Sequence, residues 1–224
     1  MKMVYEPFEY PIVFEENKVN VVCIERPECF RQFIEDLQEQ IQEEEGKFVL
    51  SADGEELSLK KYVCVITDIF NLEFNERKVL NRIYEELDQY AASEEMYLQT
   101  CELQTHLFKF LENLVQATDY PLSYSQEVDL TDLYKAVELE VQTEYESLLE
   151  KIMDYMDLMV QIFHIHCLVF VNLKSFLRTE ELEDLYKAAA YKKVHLLLLE
   201  NRAEEEQNER ERWFVWDKDL CEIY

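Results

Sequence analysis

The chain has 224 residues, of which 48% are hydrophobic, and its formal net charge is −27. This length allows one large domain or two modest ones, and the apolar content excludes a wholly disordered chain. With only two glycines, Gly46 and Gly54, the sequence excludes the glycine-rich phosphate loops of the Walker and dinucleotide types. The six cysteines are scattered without a CxxC pair, which disfavours disulfides and structural zinc and predicts a reducing, cytoplasmic compartment.

The N-terminal part of the chain combines strand and helix patterns. Strands are predicted at 11–14, 19–25 and 62–70, the last two as apolar runs that are typical of burial on both faces. Apolar residues at helical spacing predict a helix over 28–44. Residues 47–61 predict a β-hairpin with an Asp-Gly turn.

From about residue 75 the apolar residues follow helical spacing as far as about residue 165. The apolar run 155–173 is interrupted by Asp157, Gln161 and two histidines, so it is interpreted as a buried helix leading into a buried strand and not as a membrane span. The opening residues, MKMVYEPFEYP, lack the apolar core of a signal peptide. The protein is therefore predicted to be soluble.

The segment 167–200 reads as strand, loop, amphipathic helix and strand. Both strands are almost wholly apolar, which is typical of neighbouring parallel strands buried on both faces. We therefore predict an α/β fold with a mostly parallel sheet, in which residues 1–74 and 166–224 form one discontinuous core domain. Residues 75–165 would form an all-helical domain inserted into that core.

Carboxylates are concentrated at several places. The stretches 42–45 and 203–212 are rich in glutamate and are interpreted as solvated helix faces or mobile segments. Around a short predicted helix near residue 130 lie five more carboxylates: Glu127, Asp129, Asp132, Glu138 and Glu140. Because Ca²⁺ takes about six to eight oxygen ligands, this group is a candidate structural calcium site, and a solvated acidic face is the alternative.

Two further places carry ligand-type side chains. Asp68 follows a predicted buried strand, where a carboxylate could hold a metal ion, but without a phosphate loop a turn-capping role is favoured. His164, His166 and Cys167 fall at a helix-to-strand junction, which favours a structural role over a metal site. Since the sequence contains no recognisable nucleophile–base pair, the protein is predicted not to be an enzyme.

Five of the few basic residues lie close together on one loop-helix-loop of the C-terminal part: Lys174, Arg178, Lys187, Lys192 and Lys193. Sequence-independent DNA binding needs local cations and not a basic protein overall, so this basic cluster is a candidate phosphate-binding surface. The alternative is ordinary solubility, with pairing to the neighbouring carboxylates Glu180, Glu181, Glu183 and Asp184.

Three stretches of the sequence resemble one family, the accessory protein of type II-A CRISPR adaptation. They are FEYPIVFEENKVNVVCIERPECFRQFIEDL, VCVITDIFNLEFNERKVLNRIYEELDQ and CLVFVNLKSFLRTEELEDLYKAAAYKKVHLLLLENR. The resemblance implies a degenerate P-loop-like α/β core without ATPase activity, joined to a helical domain. It also implies a homotetrameric ring that encircles double-stranded DNA, loads at free ends without sequence preference, and works with the CRISPR integrase and the effector nuclease.

The resemblance also implies roles for particular residues. Calcium ions would steady the subunits, with Glu127, Asp129 and Asp132 as the main ligands, and lysines would face the central channel. Lys135 matches a basic position of the family's short helix, and Lys109 is a channel candidate by its location. The leading hypothesis is therefore a non-catalytic, sequence-independent DNA-end-binding ring. The rivals are an acidic scaffold that recruits basic partners without contacting DNA and, less favoured, a carboxylate–metal nuclease that depends on Asp68.

Overall fold

A computed structural model describes residues 1–43, 45–204 and 208–223, and over these residues the chain forms ten strands and seven α-helices. The strands are β1 (Lys2–Tyr5), β2 (Ile12–Val13), β3 (Val19–Ile24), β4 (Phe48–Ala52), β5 (Glu55–Leu57), β6 (Val63–Ile66), β7 (Cys167–Val171), β8 (His195–Glu200), β9 (Glu211–Trp216) and β10 (Glu222–Ile223). The helices are α1 (Pro27–Glu43), α2 (Leu59–Tyr62), α3 (Arg77–Ala91), α4 (Tyr97–Gln116), α5 (Leu130–Ala136), α6 (Leu148–Phe163) and α7 (Thr179–Tyr191).

The main sheet has six strands in the order β10-β9-β3-β8-β7-β6. The five strands from β9 to β6 are mutually parallel, and β10 pairs antiparallel with β9 at one edge. β3 lies in the middle of the sheet, and all six of its residues are buried. The predicted α/β fold with a mostly parallel sheet is therefore confirmed, and the apolar runs reflect burial on both faces of the strands.

A smaller antiparallel sheet in the order β2-β1-β4-β5 packs beside α1. The predicted hairpin is present as β4 and β5, and Asp53 and Gly54 both have positive φ angles, 53° and 87°. Two consecutive positive φ angles are characteristic of the hairpin turn that Asp-Gly favours. The rings of Tyr5, Phe33 and Phe48 contact one another between this sheet and α1.

Alternate residues of the parallel strands face two different layers. Val22, Leu197 and Leu199 belong to the cluster that includes α1 and the small sheet. The intervening residues point to the opposite face, and α7 buries an apolar stripe that ends at Ala189 on that side. Each face of the central strands is thus removed from water, which stabilises the sheet through apolar burial.

The chain divides into two compact units, one of residues 73–143 and one of residues 1–72 together with 144 onward. The second boundary falls some 20 residues before the expected one at 165/166, because α6 clusters with the α/β unit. α6 buries Ile152, Met156 and Met159 and lies against α7. The discontinuous α/β unit therefore carries a helix that we expected in the inserted one.

The helical unit comprises α3, α4 and α5 with non-helical segments between and after them, so the expected uninterrupted helical texture is only partly present. These segments are fixed to α3 by hydrogen bonds. The Asn75 amide donates to the Val141 carbonyl (3.0 Å) and accepts from its N–H (2.8 Å). The Tyr84 hydroxyl donates to the Leu139 carbonyl at 2.8 Å.

Sequence patterns did not reveal β1, β9 or β10. The expectation of a solvated segment over 203–212 was wrong at its end, because Glu211 opens β9 and its side chain is only 1% exposed. Glu44 and residues 205–207 of the glutamate-rich stretches lie outside the described residues. Among the residues that are described, no helix has the length and apolar character needed to cross a membrane.

Candidate nucleic-acid interface

The carboxyl edge of the parallel sheet is where α/β proteins bind ligands, and here hydrogen bonds order the segments that follow β6 and β7. Asp68 follows β6, and its Oδ1 accepts a hydrogen bond from the Phe70 N–H at 2.9 Å. This geometry confirms the predicted turn-capping role of Asp68. After β7, Asn172 adopts a left-handed conformation (φ 54°) and donates its N–H to the Leu199 carbonyl at 2.8 Å.

Lys174 of the basic cluster is enclosed by carboxylates. Its Nζ lies 2.7 Å from Glu211 Oε1 and 2.7 Å from Glu204 Oε2, and its side chain is 6% exposed. The ammonium also lies 4.8 Å from the centre of the Trp213 ring. Because its charge is neutralised inside the protein, Lys174 does not present a cation to a phosphate, unlike what the sequence led us to expect.

A second buried carboxyl lies beside Lys174. Glu200 ends β8, is 5% exposed, and accepts a hydrogen bond from the Lys174 backbone N–H at 3.1 Å. Burial raises the pKa of the Glu200 carboxyl from 4.5 to about 7, and the hydrogen bond and charge of Lys174 oppose that rise. Sequence reasoning missed this polar network because its members are far apart in the chain.

The other members of the basic cluster are more accessible, and most are paired. Arg178 is 79% exposed and lies 3.1 Å from Glu181, and Lys187 lies 2.9 Å from Asp184. Lys192 is partly buried and forms an ion pair with Asp157. Lys193 is exposed and makes no ion pair with a described residue. The predicted pairing with neighbouring carboxylates thus coexists with exposed cations, and the two interpretations of the cluster do not exclude each other.

The two candidate lysines of the helical unit are both on its surface. Lys109 is an exposed residue of α4. Lys135 is exposed near the end of α5, with its Nζ 3.4 Å from Asp132 Oδ1. An exposed pair of this kind contributes little to stability, so the Lys135 ammonium can exchange Asp132 for another anion.

The five candidate calcium ligands do not converge within one chain. Asp129 caps α5 by accepting the Thr131 N–H at 2.9 Å, and Asp132 pairs with Lys135. Glu127, Glu138 and Glu140 are exposed. The described part of the chain contains no group of three or more acidic, histidine or cysteine side chains arranged to hold a metal ion. These carboxylates therefore do not form a metal site by themselves.

The histidine–cysteine group has a structural setting. His164 ends α6 in a left-handed conformation (φ 55°), and the His166 ring lies 4.9 Å from the Tyr62 ring. Cys167 is fully buried, which raises the pKa of its thiol. These observations agree with the structural role that the sequence favoured.

α4 carries an apolar surface that the sequence did not single out. None of its twenty residues is buried, although many are apolar. Leu103, Phe110 and Leu114 are exposed and follow the i, i+7, i+11 spacing that places side chains on one helix face. We call these three residues the α4 stripe. An exposed stripe of large apolar side chains is typical of an interaction surface.

Comparison with known proteins places the chain in a family. Residues 40–220 match the family described as CRISPR-associated protein (Cas_Csn2). The CRISPR-associated protein Csn2 of Enterococcus faecalis is 23% identical over 210 residues, which cover 90% of each chain. An ATP-binding cassette of an ABC transporter, solved in its ADP conformation, has 10% identity and a TM-score of 0.40, covering 87% of this chain and 74% of that one.

The chain is an α/β protein with a mostly parallel sheet and an inserted helical unit. It has no glycine-rich phosphate-binding loop in its sequence. The sequence match over most of its length identifies the particular group. The chain belongs to the Csn2 family of type II-A CRISPR-associated proteins. It is thus an accessory protein of CRISPR adaptation in antiviral defence.

Proposed function

We propose that this protein is a non-catalytic, sequence-independent binder of double-stranded DNA ends that acts as a cytoplasmic homotetrameric ring during spacer acquisition. The CRISPR integrase and the effector nuclease are its proposed protein partners. Family membership supports the place of this activity in CRISPR adaptation. The α4 stripe is the structural observation that carries the proposal, because a ring requires a surface that each subunit leaves uncovered.

The apolar character of the α4 stripe supports self-association through this surface. Burying Leu103, Phe110 and Leu114 against another subunit would remove from water side chains that the single chain leaves exposed. Phe110→Glu would place a charge in such an interface and is expected to lower the oligomer mass. Thr105→Glu, on a different face of α4, is the matched control.

DNA binding is supported by the exposed members of the basic cluster, Arg178, Lys187 and Lys193, together with Lys109 and Lys135 of the helical unit. A carboxylate-rich surface repels phosphate, so an acidic subunit can hold DNA only where these cations meet it. Contacts to phosphate carry no sequence information, which fits binding without sequence preference.

The absence of catalysis is part of the proposal. Side by side in the sheet, the parallel strands lie in the order β9-β3-β8-β7-β6. The first strand in the chain is thus between the last and the second last, and this order supports a degenerate P-loop-like core. The turn after β3 holds Glu25 and Arg26 where such a core would have a glycine-rich phosphate loop. Asp68, the carboxylate of the nuclease hypothesis, is engaged in capping its own turn.

Calcium binding remains a prediction, and it has to be tested on the intact oligomer. Within one chain the candidate ligands are apart or engaged, so a site would need carboxylates from more than one subunit. Mass measurement with and without a chelator tests this point, since a calcium-dependent oligomer would lose mass when the ion is removed.

The central experiment compares linear duplex DNA with covalently closed circles of the same sequence. A ring that loads at ends is expected to bind the linear form and to leave sealed circles free. Binding should weaken steeply with salt, because each phosphate contact releases counterions. Equal affinity for sealed circles and linear duplex would contradict loading at ends.

The second candidate is an acidic scaffold that recruits basic partners without touching DNA. It is favoured by the net charge of −27 and by the pairing of Arg178 and Lys187 with neighbouring carboxylates. If the protein is a monomer, does not bind linear DNA at low salt and binds a basic protein, the scaffold is supported and the ring is contradicted.

A further inference from the structure

Two exposed phenylalanines contact each other at the carboxyl edge of the parallel sheet. Phe70 lies in the loop after β6 and Phe176 in the turn after β7, and they are 58% and 49% exposed. Their ring centres are 5.2 Å apart and their planes are nearly perpendicular, at 87°. One ring can therefore present its face to a ligand while the other supports it through its edge. We call Phe70 and Phe176 the aromatic pair.

The backbone on both sides of the pair is held by hydrogen bonds. The Phe70 N–H donates to Asp68 Oδ1 at 2.9 Å, and the Phe70 carbonyl accepts from Lys151 Nζ at 2.6 Å. The Phe176 N–H donates to the carbonyl of the buried Leu173 at 3.0 Å. A surface that is already ordered loses little conformational entropy when a ligand binds.

The charges around the pair indicate what kind of group it takes. Arg178, two residues beyond Phe176, is largely exposed and pairs with Glu181 at its own surface. Asp68 and Glu180 are exposed carboxylates close in sequence to the two rings. Lys151, whose Nζ contacts the Phe70 carbonyl, adds a second cation. The aromatic surface is thus flanked by a few charges of both signs, which does not favour a run of phosphates but allows contact with a single one.

The terminal base pair of duplex DNA has matching chemistry. Inside a duplex, both faces of every base pair are covered by neighbouring pairs, whereas an end leaves one flat face uncovered. Aromatic side chains stack on bases without regard to sequence, because every base has a π-face. A neighbouring arginine can contact the phosphate next to the stacked base.

We propose that one ring of the aromatic pair, supported by the other, stacks on the terminal base pair of duplex DNA, with Arg178 contacting the adjacent phosphate. This inference rests on the proposed DNA-end binding and adds a contact that only the end of a duplex offers. The lysines contribute attraction to any phosphate, and the aromatic pair contributes affinity for the uncovered base pair at the end where the ring loads.

The test uses the full-length chain and a blunt duplex carrying 2-aminopurine at either its terminal or its central position. The wild-type protein is expected to change the fluorescence of the terminal probe and to leave the central one nearly unchanged. The double variant Phe70→Leu, Phe176→Leu keeps apolar bulk but lacks rings. It should lose affinity for the duplex on the order of tenfold and no longer affect the terminal probe.

The control variant is Tyr10→Leu, which removes another exposed aromatic ring and should bind as the wild type does. Thermal unfolding of both variants checks that they are folded. If the wild-type protein binds linear duplex but the double variant binds equally well, the aromatic pair is not the end-binding element, and the proposed function stands. If linear duplex is not bound at all, both proposals are wrong.

A different class of ligand would give a third result. An arginine-rich peptide could also stack on the aromatic pair, through cation–π contact. Binding of such a peptide by the wild type and not by the double variant, with DNA binding unchanged, would overturn the assignment to a base pair.

Discussion

Glu200 carries a buried carboxyl whose protonation state couples the fold to pH. Its pKa is about 7 in the folded chain and 4.5 as the ordinary value, and burial is the main cause of the rise. Between these two pH values the folded state binds the proton more tightly than the unfolded state does. The contribution of Glu200 to stability therefore falls as pH rises through this window and is constant above it.

Glu200→Gln is expected to raise the free energy of unfolding at pH 8, because a neutral amide avoids burying a charge and still offers an oxygen to the Lys174 N–H. The difference between the two pKa values corresponds to at most roughly 3 kcal/mol. The gain should shrink at pH 5.5, where Glu200 is protonated in the folded state. Urea unfolding at both pH values measures it, and the exposed Glu55→Gln serves as control. A gain independent of pH would contradict the proposed cause.

Lys174 and Glu211 form a buried ion pair with additional donors. Glu211 also accepts from the Tyr186 hydroxyl (2.7 Å) and from Trp213 Nε1 (2.8 Å). Lys174→Met is expected to destabilise the fold by about 3–5 kcal/mol, since it leaves a buried carboxylate without its cation. Adding Glu211→Gln should recover much of that loss. Urea unfolding followed by tryptophan fluorescence tests both variants, and an unchanged stability in Lys174→Met would show that the pair is not effectively buried.

At the level of elements, α7 ends in a motif that normally favours glycine. Lys193 has a φ of 56°, its N–H donates to the Ala190 carbonyl at 3.1 Å, and the Val194 N–H donates to the Ala189 carbonyl at 3.0 Å. These two bonds make a Schellman motif, in which the left-handed residue is usually glycine. Lys193 therefore holds a left-handed conformation without the freedom of glycine, as several other non-glycine residues of this chain do.

Lys193→Gly is therefore expected to have opposite effects on stability and binding. Relief of the left-handed conformation should stabilise the chain by about 1 kcal/mol. Loss of an exposed cation should weaken binding to linear duplex and reduce its salt dependence, if this lysine meets phosphate. Thermal unfolding and fluorescence anisotropy measure the two effects. Lys218→Gly, which removes another exposed lysine in the β9–β10 turn, is the control for the loss of charge. Unchanged DNA affinity in Lys193→Gly would remove this lysine from the proposed interface.

Elements with strong local patterns could be predicted from the sequence, and those defined by distant contacts could not. β3, β7, β8, α1 and α7 follow from apolar runs or helical spacing. β9 begins with a charged stretch, and two of the partners of the buried Glu211, Lys174 and Tyr186, come from other parts of the chain. The same holds for the candidate interface, where the basic cluster was visible but the enclosure of Lys174 was not.

At the scale of the whole molecule, the net charge of −27 sets how the protein responds to salt. Self-repulsion among like charges destabilises a compact state, and added ions screen it. Raising NaCl from about 20 to about 200 mM is therefore expected to raise the melting temperature while it weakens DNA binding. Sucrose at equal osmolality is the control for the unfolding measurement. A melting temperature that falls with salt would show that favourable ion pairs outweigh the repulsion.

The position of β3 in the main sheet affects how the chain folds during its synthesis. β3 pairs on one side with β8 and on the other with β9, both near the opposite end of the chain. A ribosome therefore releases this strand, apolar except for Asn20, long before either neighbour has been translated. Pairing over such separations is slow, and an unpaired apolar strand promotes aggregation. The N-terminal half of the α/β unit is consequently expected to complete its folding only after the last strands have been translated.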